Sequence, residues 1–524
     1  MKSAPRLRTD VLVIGCGIGG ASAALEAAKK GLRVVVITKS PSLEGANTFW
    51  AQGGIVSIGP DDDPELLKED IIKAGDGINN PEAVDILVRE SRPLVDKILI
   101  GELKIPFTQG SPEKLDYAQE AGHSRRRILH VKDTTGKTIE EKFVAALGKQ
   151  TNITLLTGHT AVDLLTVPHH SKDPITYYQE PRCVGAYVLN NQTNKVETLF
   201  ANVTVLAAGG CGAVYLHTSN PQDAIGAGYA MAHRAGARIV NMEYIQFHPT
   251  SLYHRDADSF LISETVRGEG ARLKTRQGRT FMEKYSDKKD LAPRDEVARA
   301  IYEEMINGNS NYVLLDLAGY AKVDIKKRFP NIYKTCLRYD IDITKEPIPV
   351  VPAAHYCCGG VLVDGWGVTS LKGLYAVGEV SCTGLHGANR LASTSLLEGL
   401  VWGTRAARHI ADHFDPAVRS RESKIHEWYY PEAEEAIDPA LINQDWLTIR
   451  NTMWNYAGLI RTGKRLERAK SDLEYLRHRI ERFYREAAMD IKIVGLKHGI
   501  QVALMITHAA LANPVSLGAH FIKR

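Results

Sequence analysis

A chain of 524 residues with 44% hydrophobic composition is long enough for two to four domains with real cores. Its 65 Lys and Arg against 61 Asp and Glu leave no basic stripe for nucleic acid or a polybasic membrane anchor, and no apolar run approaches the ~20 residues of a spanning helix. The opening MKSAPRLRTDVLVIG leaves no room for a signal peptide, and seven scattered cysteines with no C-x-x-C pair argue against an iron–sulfur, zinc or other metal site and for a reduced cytoplasmic setting.

From the N-terminus, residues 9–14 read as a strand, Gly15-Cys16-Gly17-Ile18-Gly19-Gly20 as a turn, an alanine-rich run to Lys30 as a helix, and 33–38 as a second strand. Glycines 15, 17 and 20 match G-x-G-x-x-G in the strand-turn-helix context where bare backbone approaches a pyrophosphate. The second strand ends at Lys39, where a ribose-binding Asp or Glu is expected, and this argues against a plain NAD site. The small-residue loop that follows, with Asn47, Thr48, Gln52, Gly53 and Gly54, can wrap the far part of a large cofactor. Residues 61–77 and 81–100 read as helical scaffold, the second with Val84, Leu87, Val88 and Val95 on one side.

The segment 119–130 is denser in polar chemistry. Glu120 and His123 are its site candidates, whereas Arg125, Arg126 and Arg127 read as a solvated basic loop. Residues 152–205 suggest short strands with a polar surface insertion around 168–181. The run from Ala201 to Gly212 is a further strand ending in a glycine pair, as a dinucleotide the size of FAD would need. After a turn and a helix over 220–240 the character changes, and a long stretch carries no glycine-rich nucleotide turn. It opens at Gln246 and His248, passes Ser263, Glu264 and Arg294, and closes at His355, and it reads as a domain inserted into the first.

Nucleotide character returns over 374–402. A short buried strand meets Gly378-Glu379, a loop carries His386, Asn389 and Arg390, and Ser393, Thr394 and Ser395 stand where hydroxyls cap a helix. Glu379 can bind sugar hydroxyls, Arg390 can clamp an anionic group, and the helix start at Ser395-Leu396 can offset negative charge on a ligand. From about Arg419 onward, helical periodicity over 446–460, 465–487 and 497–511 reads as a separate bundle without site residues.

Nine motifs stand in one order from end to end of the chain: GCGIGG, NTFWAQGGI, EAGHSRRRILH, QFHPT, SETVRGEGAR, APRDEVARA, PAAHYCCGGV, YAVGEV and HGANRLASTSLLEG. Together they resemble the fumarate reductase/succinate dehydrogenase flavoprotein family. The resemblance implies an α/β fold in three parts: a Rossmann-like FAD-binding domain over 1–240 and 355–418, an α+β capping domain over 241–354 that interrupts it, and a C-terminal helical domain over 419–524. It implies FAD contacts at Gly15, Gly17, Ile18, Gly19, Gly20, Lys39, Asn47, Thr48, Gln52, Gly53, Gly54, Glu379, Ser395 and Leu396; a basic residue at Lys39 is tolerated in this family. For a C4 dicarboxylate it implies two cationic clamps, a task that suits bidentate arginine. His248 with Ser263 and Glu264 would lie near one carboxylate, and His355 with Arg390 near the other, with Gln246 also binding substrate. Arg294 would be the proton-transfer residue, which needs a dry, closed site with a relay because arginine is a poor acid.

Two residues separate branches of the family. The respiratory members carry a flavin-linked histidine where Asn47 stands, so FAD is expected to be non-covalent. Glu120 matches the branch that oxidises L-aspartate, and a carboxylate there would pair with an α-ammonium group that succinate lacks. The expected reaction is oxidation of L-aspartate to iminoaspartate, with O2 (giving H2O2) or fumarate as acceptor. It would lie in the quinolinate branch of NAD synthesis, with functional coupling to quinolinate synthase. The alternatives are a soluble fumarate reductase or succinate dehydrogenase flavoprotein subunit, and a flavin-binding interaction protein without catalysis. The chain departs from the family pattern at Ala227 (usually Asp), Ser263 (usually Thr) and Leu517 (often Arg).

Overall fold

The second half of the strand Arg6–Ile14, from Val11 onward, is apolar on both faces because it lies in a sheet covered on both sides. Leu12 and Ile14 enter one core and Val11 and Val13 the other, the alternation that a side-chain period of two imposes. The structure is a computed structural model describing residues 6–523 apart from 43–44, 112–113, 121, 258–259, 322, 417–424 and 431–435. The sheet has seven strands, in the order Ile153–Thr157, Val34–Thr38, Arg6–Ile14, Lys195–Leu206, Arg182–Asn190 and His159–Val167, with Leu374–Ala376 also on Lys195–Leu206. The first four run parallel, and the next two alternate antiparallel.

Lys195–Leu206 is long enough to serve two neighbours: residues 195–200 pair with Arg182–Asn190, and 204–206 pair in parallel with Leu374–Ala376. The carboxyl ends at Ile14, Thr38, Leu206 and Ala376 therefore open on one crevice, where open α/β sheets bind ligands. The first turn must be glycine because backbone fills the space beside it. A Cβ on Gly15, whose φ is +112°, would lie 2.1 Å from the Ala207 carbonyl oxygen, and one on Gly20 would lie 2.1 Å from that of Gly15. The helices Ile18–Lys29 and Ser395–Asp412 pack side by side over this turn.

A second sheet of four antiparallel strands (Ile245–Leu252, Ile348–Cys357, Val313–Asp316, Arg272–Lys274) carries the helix Arg294–Asn307. Ile348–Cys357 runs straight through the expected boundary at 354–355, so His355 belongs to this sheet. The expected boundary at 418–419 lies outside the described residues.

The C-terminal helices are Pro439–Tyr456, Gly463–Glu486 and Ile491–Ala512. The side chains of Asp438, Thr462 and Asp490 accept backbone N–H groups at their starts. Two of them begin well ahead of the expected 446 and 497, because their first turns are set by caps rather than by apolar periodicity. They do not form a separate bundle. Met453, Trp454, Leu466 and Ile500 share one continuous core with Leu206 of the large sheet and Phe247 of the second. Buried Arg461 ties them further by donating to the Glu243 carbonyl at 2.8 Å. Among the described residues no helix is long and apolar enough to cross a membrane.

Candidate active site

A cavity of ≈ 1970 Å³, open to solvent, extends from the crevice of the large sheet to the face of the second. Every cofactor candidate lines it except Gly20, which packs beneath the turn; Ala227 lines it as well.

At the dinucleotide end, Lys39 Nζ pairs with Asp223 at 2.6 Å, and Thr48 Oγ1 accepts the Ile18 N–H at 3.0 Å. Asn47 Nδ2 donates to one Glu379 oxygen at 2.8 Å and the Cys357 N–H to the other at 3.1 Å. Burial nevertheless pushes the Glu379 carboxyl up to about 7, against the pull of both donors. Gln52 Oε1 is buried on the wall without a partner.

The expected hydroxyl cap of Ser395–Asp412 is absent, because each hydroxyl is engaged elsewhere. Thr394 Oγ1 donates to the Leu391 carbonyl at 2.7 Å, Ser393 to Glu120, and Ser395 Oγ lies 3.3 Å from Arg390 Nη1. The helix Ile18–Lys29 has no cap from its own Gly17, and Thr48 takes only its first N–H. Two helix N-termini on the cavity wall, an amide oxygen with no partner among the described residues and a buried carboxylate beside a glycine turn fit the phosphates, ring edge and sugar hydroxyls of FAD.

The opposite end gathers His248, Ser263, Glu264, Arg294, His355, Arg390 and Glu120 on the same cavity wall. His248 Nδ1 accepts the Thr250 N–H at 3.2 Å, which leaves the ring proton on Nε2. His355 Nδ1 meets Ser219 Oγ at 2.7 Å, its carbonyl accepts from Asn220 Nδ2 at 3.0 Å, and the two imidazole centres lie 5.5 Å apart. Burial first, and then the Arg294 charge, holds His248 well below the usual histidine range; burial and then Arg390 do the same to His355. Both rings are therefore neutral at pH 7.

Arg294 donates from Nε to one Glu264 oxygen, and Arg267 Nη2 lies 3.2 Å from the other. Burial opposes charge throughout this group, yet Arg294 and Arg267 together hold the Glu264 carboxyl below its ordinary range. Glu264, followed by Glu120, outweighs burial at Arg294 and raises its guanidinium.

Gln246 does not reach the cavity wall, contrary to its expected place at the substrate. Its amide accepts from Arg390 Nη2 at 3.0 Å and donates to Asn389 Oδ1 at 2.6 Å and to the Arg390 carbonyl at 2.9 Å. An irregularity in strand pairing between Gln246 and Phe247 re-aims this side chain relative to His248. Arg127 is also corrected. It is fully buried and paired with Asp62 at 2.8 Å and Asp70 at 2.5 Å, while Arg125 and Arg126 are exposed; three adjacent charges carry no signal of which one faces inward. Sequence reasoning passed over Ser219, Asn220, Tyr356 and Glu398, whose partners lie far away in the chain.

An FAD binding domain family model matches residues 10–396, and a fumarate reductase flavoprotein C-terminal model matches 447–523. L-aspartate oxidase 1 of Ralstonia nicotianae is 43% identical over 98% of this chain and 94% of its own. L-aspartate oxidase of Pseudomonas aeruginosa is 42% identical over 98% and 94%. Among solved structures, an FrdA variant of the E. coli quinol fumarate reductase superposes with a TM-score of 0.88 at 26% identity, over 99% of this chain and 92% of its own. With a matching cofactor-domain model and near full-length relatives of one kind, the chain belongs to the L-aspartate oxidase family, built on the flavoprotein scaffold of the fumarate reductases.

Proposed function

We propose that this chain is an FAD-dependent oxidase that converts L-aspartate to iminoaspartate, with O2 (giving H2O2) or fumarate (giving succinate) as electron acceptor. The observation that carries this reading is the placement of Glu120. It lies on the same wall as Arg294, Arg390 and two neutral histidines, where the other carboxylate, Glu264, is already paired with arginines, so a substrate bearing two carboxylates and one ammonium group is complementary.

Arg390, backed by Gln246 and beside neutral His355, grips one substrate carboxylate. His248, through its Nε2–H, and the Ser263 hydroxyl hold the other. Glu120 faces the α-ammonium. Arg294 stands over the substrate with its charge fixed by Glu264, and the sequence Arg294, Glu264, Arg267 forms a line along which a proton can be held and passed. When bound, FAD supplies the two-electron acceptor for the hydride leaving Cα. Asn47 cannot form the covalent flavin bond, so FAD is held by the helix starts at Ile18 and Ser395, by Glu379 and by the loop 47–53. The enzyme works in the cytoplasm, and its unstable product is handed to quinolinate synthase on the way to NAD.

The reading is tested by mixing the holoenzyme anaerobically with L-aspartate and following the visible flavin band. Bleaching by L-aspartate and not by succinate is expected. Bleaching by succinate alone would replace this reading with a dicarboxylate dehydrogenase.

A further inference from the structure

We propose that Ser393 fixes Glu120 for recognition of the α-ammonium group, so that amino-acid selectivity resides in a Ser393–Glu120 pair. The inference rests on the function proposed above and extends it to a positioning residue.

Ser393 Oγ donates to Glu120 Oε2 at 2.6 Å, the short range of a charge-assisted hydrogen bond. Its backbone stands at φ +58°, a left-handed conformation that L side chains adopt only where the surroundings over-determine it. Those surroundings are specific. The Ser393 carbonyl accepts the Val56 N–H at 3.1 Å, and His123 Nε2 meets the neighbouring Ala392 carbonyl at 2.9 Å. The segment bearing Glu120 and His123 thus docks on Ala392 and Ser393 at two points. On its other side, the Glu120 carboxylate fills the space left by Gly53, where a Cβ would lie 2.2 Å from Oε1.

The two site carboxylates are therefore unlike. Glu264 is matched by two guanidinium groups, so its charge is answered within the protein. Glu120 is fixed by a neutral hydroxyl and feels Arg294 only through space, with no ion pair among the described residues, so it can still meet a ligand cation. Fumarate and succinate have no such cation, so they have no stake in where Glu120 points. A serine that merely supported the fold would affect all ligands alike.

The test uses the holoenzymes of Ser393→Gly and Ser393→Ala. Glycine suits a left-handed backbone, so the first variant deletes the hydroxyl without straining the fold. KM and kcat are measured for L-aspartate oxidation by O2 and for fumarate reduction by the chemically reduced protein. The KM for L-aspartate is expected to rise roughly tenfold in both variants, as for loss of a hydrogen bond to a charged group. The change for fumarate is expected to be at least fivefold smaller, and the effect is expected to vanish in a Glu120→Gln background. Equal losses for both ligands, or an unchanged KM for L-aspartate, would overturn the pair. A wild-type flavin that L-aspartate does not bleach is a separate failure, which overturns the oxidase reading itself.

Discussion

The guanidinium carbon of Arg390 lies 4.8 Å from the centre of the Tyr356 ring, and the Tyr356 hydroxyl donates to Glu398 at 3.0 Å. Glu398, itself buried, also meets His386 at 3.0 Å and Thr383 at 2.7 Å. The cation proposed to grip substrate thus rests on an aromatic face whose hydroxyl is anchored by a carboxylate. Burial, and then repulsion from Arg294, lowers the Arg390 pKa, and the ring beneath it offsets part of that cost.

Arg390→Leu removes both the clamp and the donor to Gln246. A loss in kcat/KM for L-aspartate of more than about 100-fold is expected, in line with breaking a desolvated charge pair. Tyr356→Phe keeps the ring beneath the cation and deletes only the anchor, so a several-fold rise in KM with kcat less affected is the expected outcome. Steady-state kinetics of the two variants separates the roles, and a Tyr356→Phe enzyme as impaired as Arg390→Leu would contradict them.

FAD binding is expected to depend on pH through Glu379, whose carboxyl titrates at about 7. Accepting hydrogen bonds from the cofactor's sugar hydroxyls favours the ionised carboxylate, so binding displaces a proton from the neutral form. The affinity of the apoprotein for FAD therefore tightens between pH 6 and pH 8. Titration by flavin fluorescence measures this, and Glu379→Gln should flatten the slope.

Denaturation is expected to release all of the flavin into solution, since Asn47 stands where the covalent linkage would form. A fluorescent protein band on a denaturing gel would show otherwise. Asn47→Ala leaves the Glu379 carboxylate one donor short, which should weaken FAD retention by about 1.5–3 kcal/mol, the range for hydrogen bonds to charged groups.

Acid stability should track buried histidines. Burial lowers His217 to about 4, and burial followed by the Arg461 charge lowers His520 to about 4. The folded values lie below the unfolded value of about 6.5, so below that pH the unfolded chain binds more protons than the native one. Stability is thus full above pH 6.5 and falls as pH drops toward 4, by on the order of 3 kcal/mol per group. Thermal melting between pH 7 and pH 5 tests this, with a shallower fall expected for His217→Gln.

The glycine turn at Gly15 to Gly20, the strands around it and most of the residues that meet at the cavity were legible in the sequence, because each is written in local spacing or in an ordered series of motifs. Helix starts at Asp438 and Asp490 were also within reach, since Asp directly ahead of a helical run is a local cap signal, strengthened at Asp438 by the Pro that follows, although apolar periodicity placed them late. Only the tertiary structure decided how the polar groups are partnered. Ser393 meets Glu120 across 273 positions and Asn47 meets Glu379 across 332, so the hydroxyls of Ser393 and Ser395 serve the site, and that of Thr394 the Leu391 carbonyl, rather than the cap. Gln246 turned behind Arg390, and Arg127 alone among three arginines turned inward. The C-terminal helices joined a shared core for the same reason. A periodic pattern shows that a face is apolar or that a group can donate, but which surface covers it is fixed by chain closure, where buried polar groups must all find partners at once.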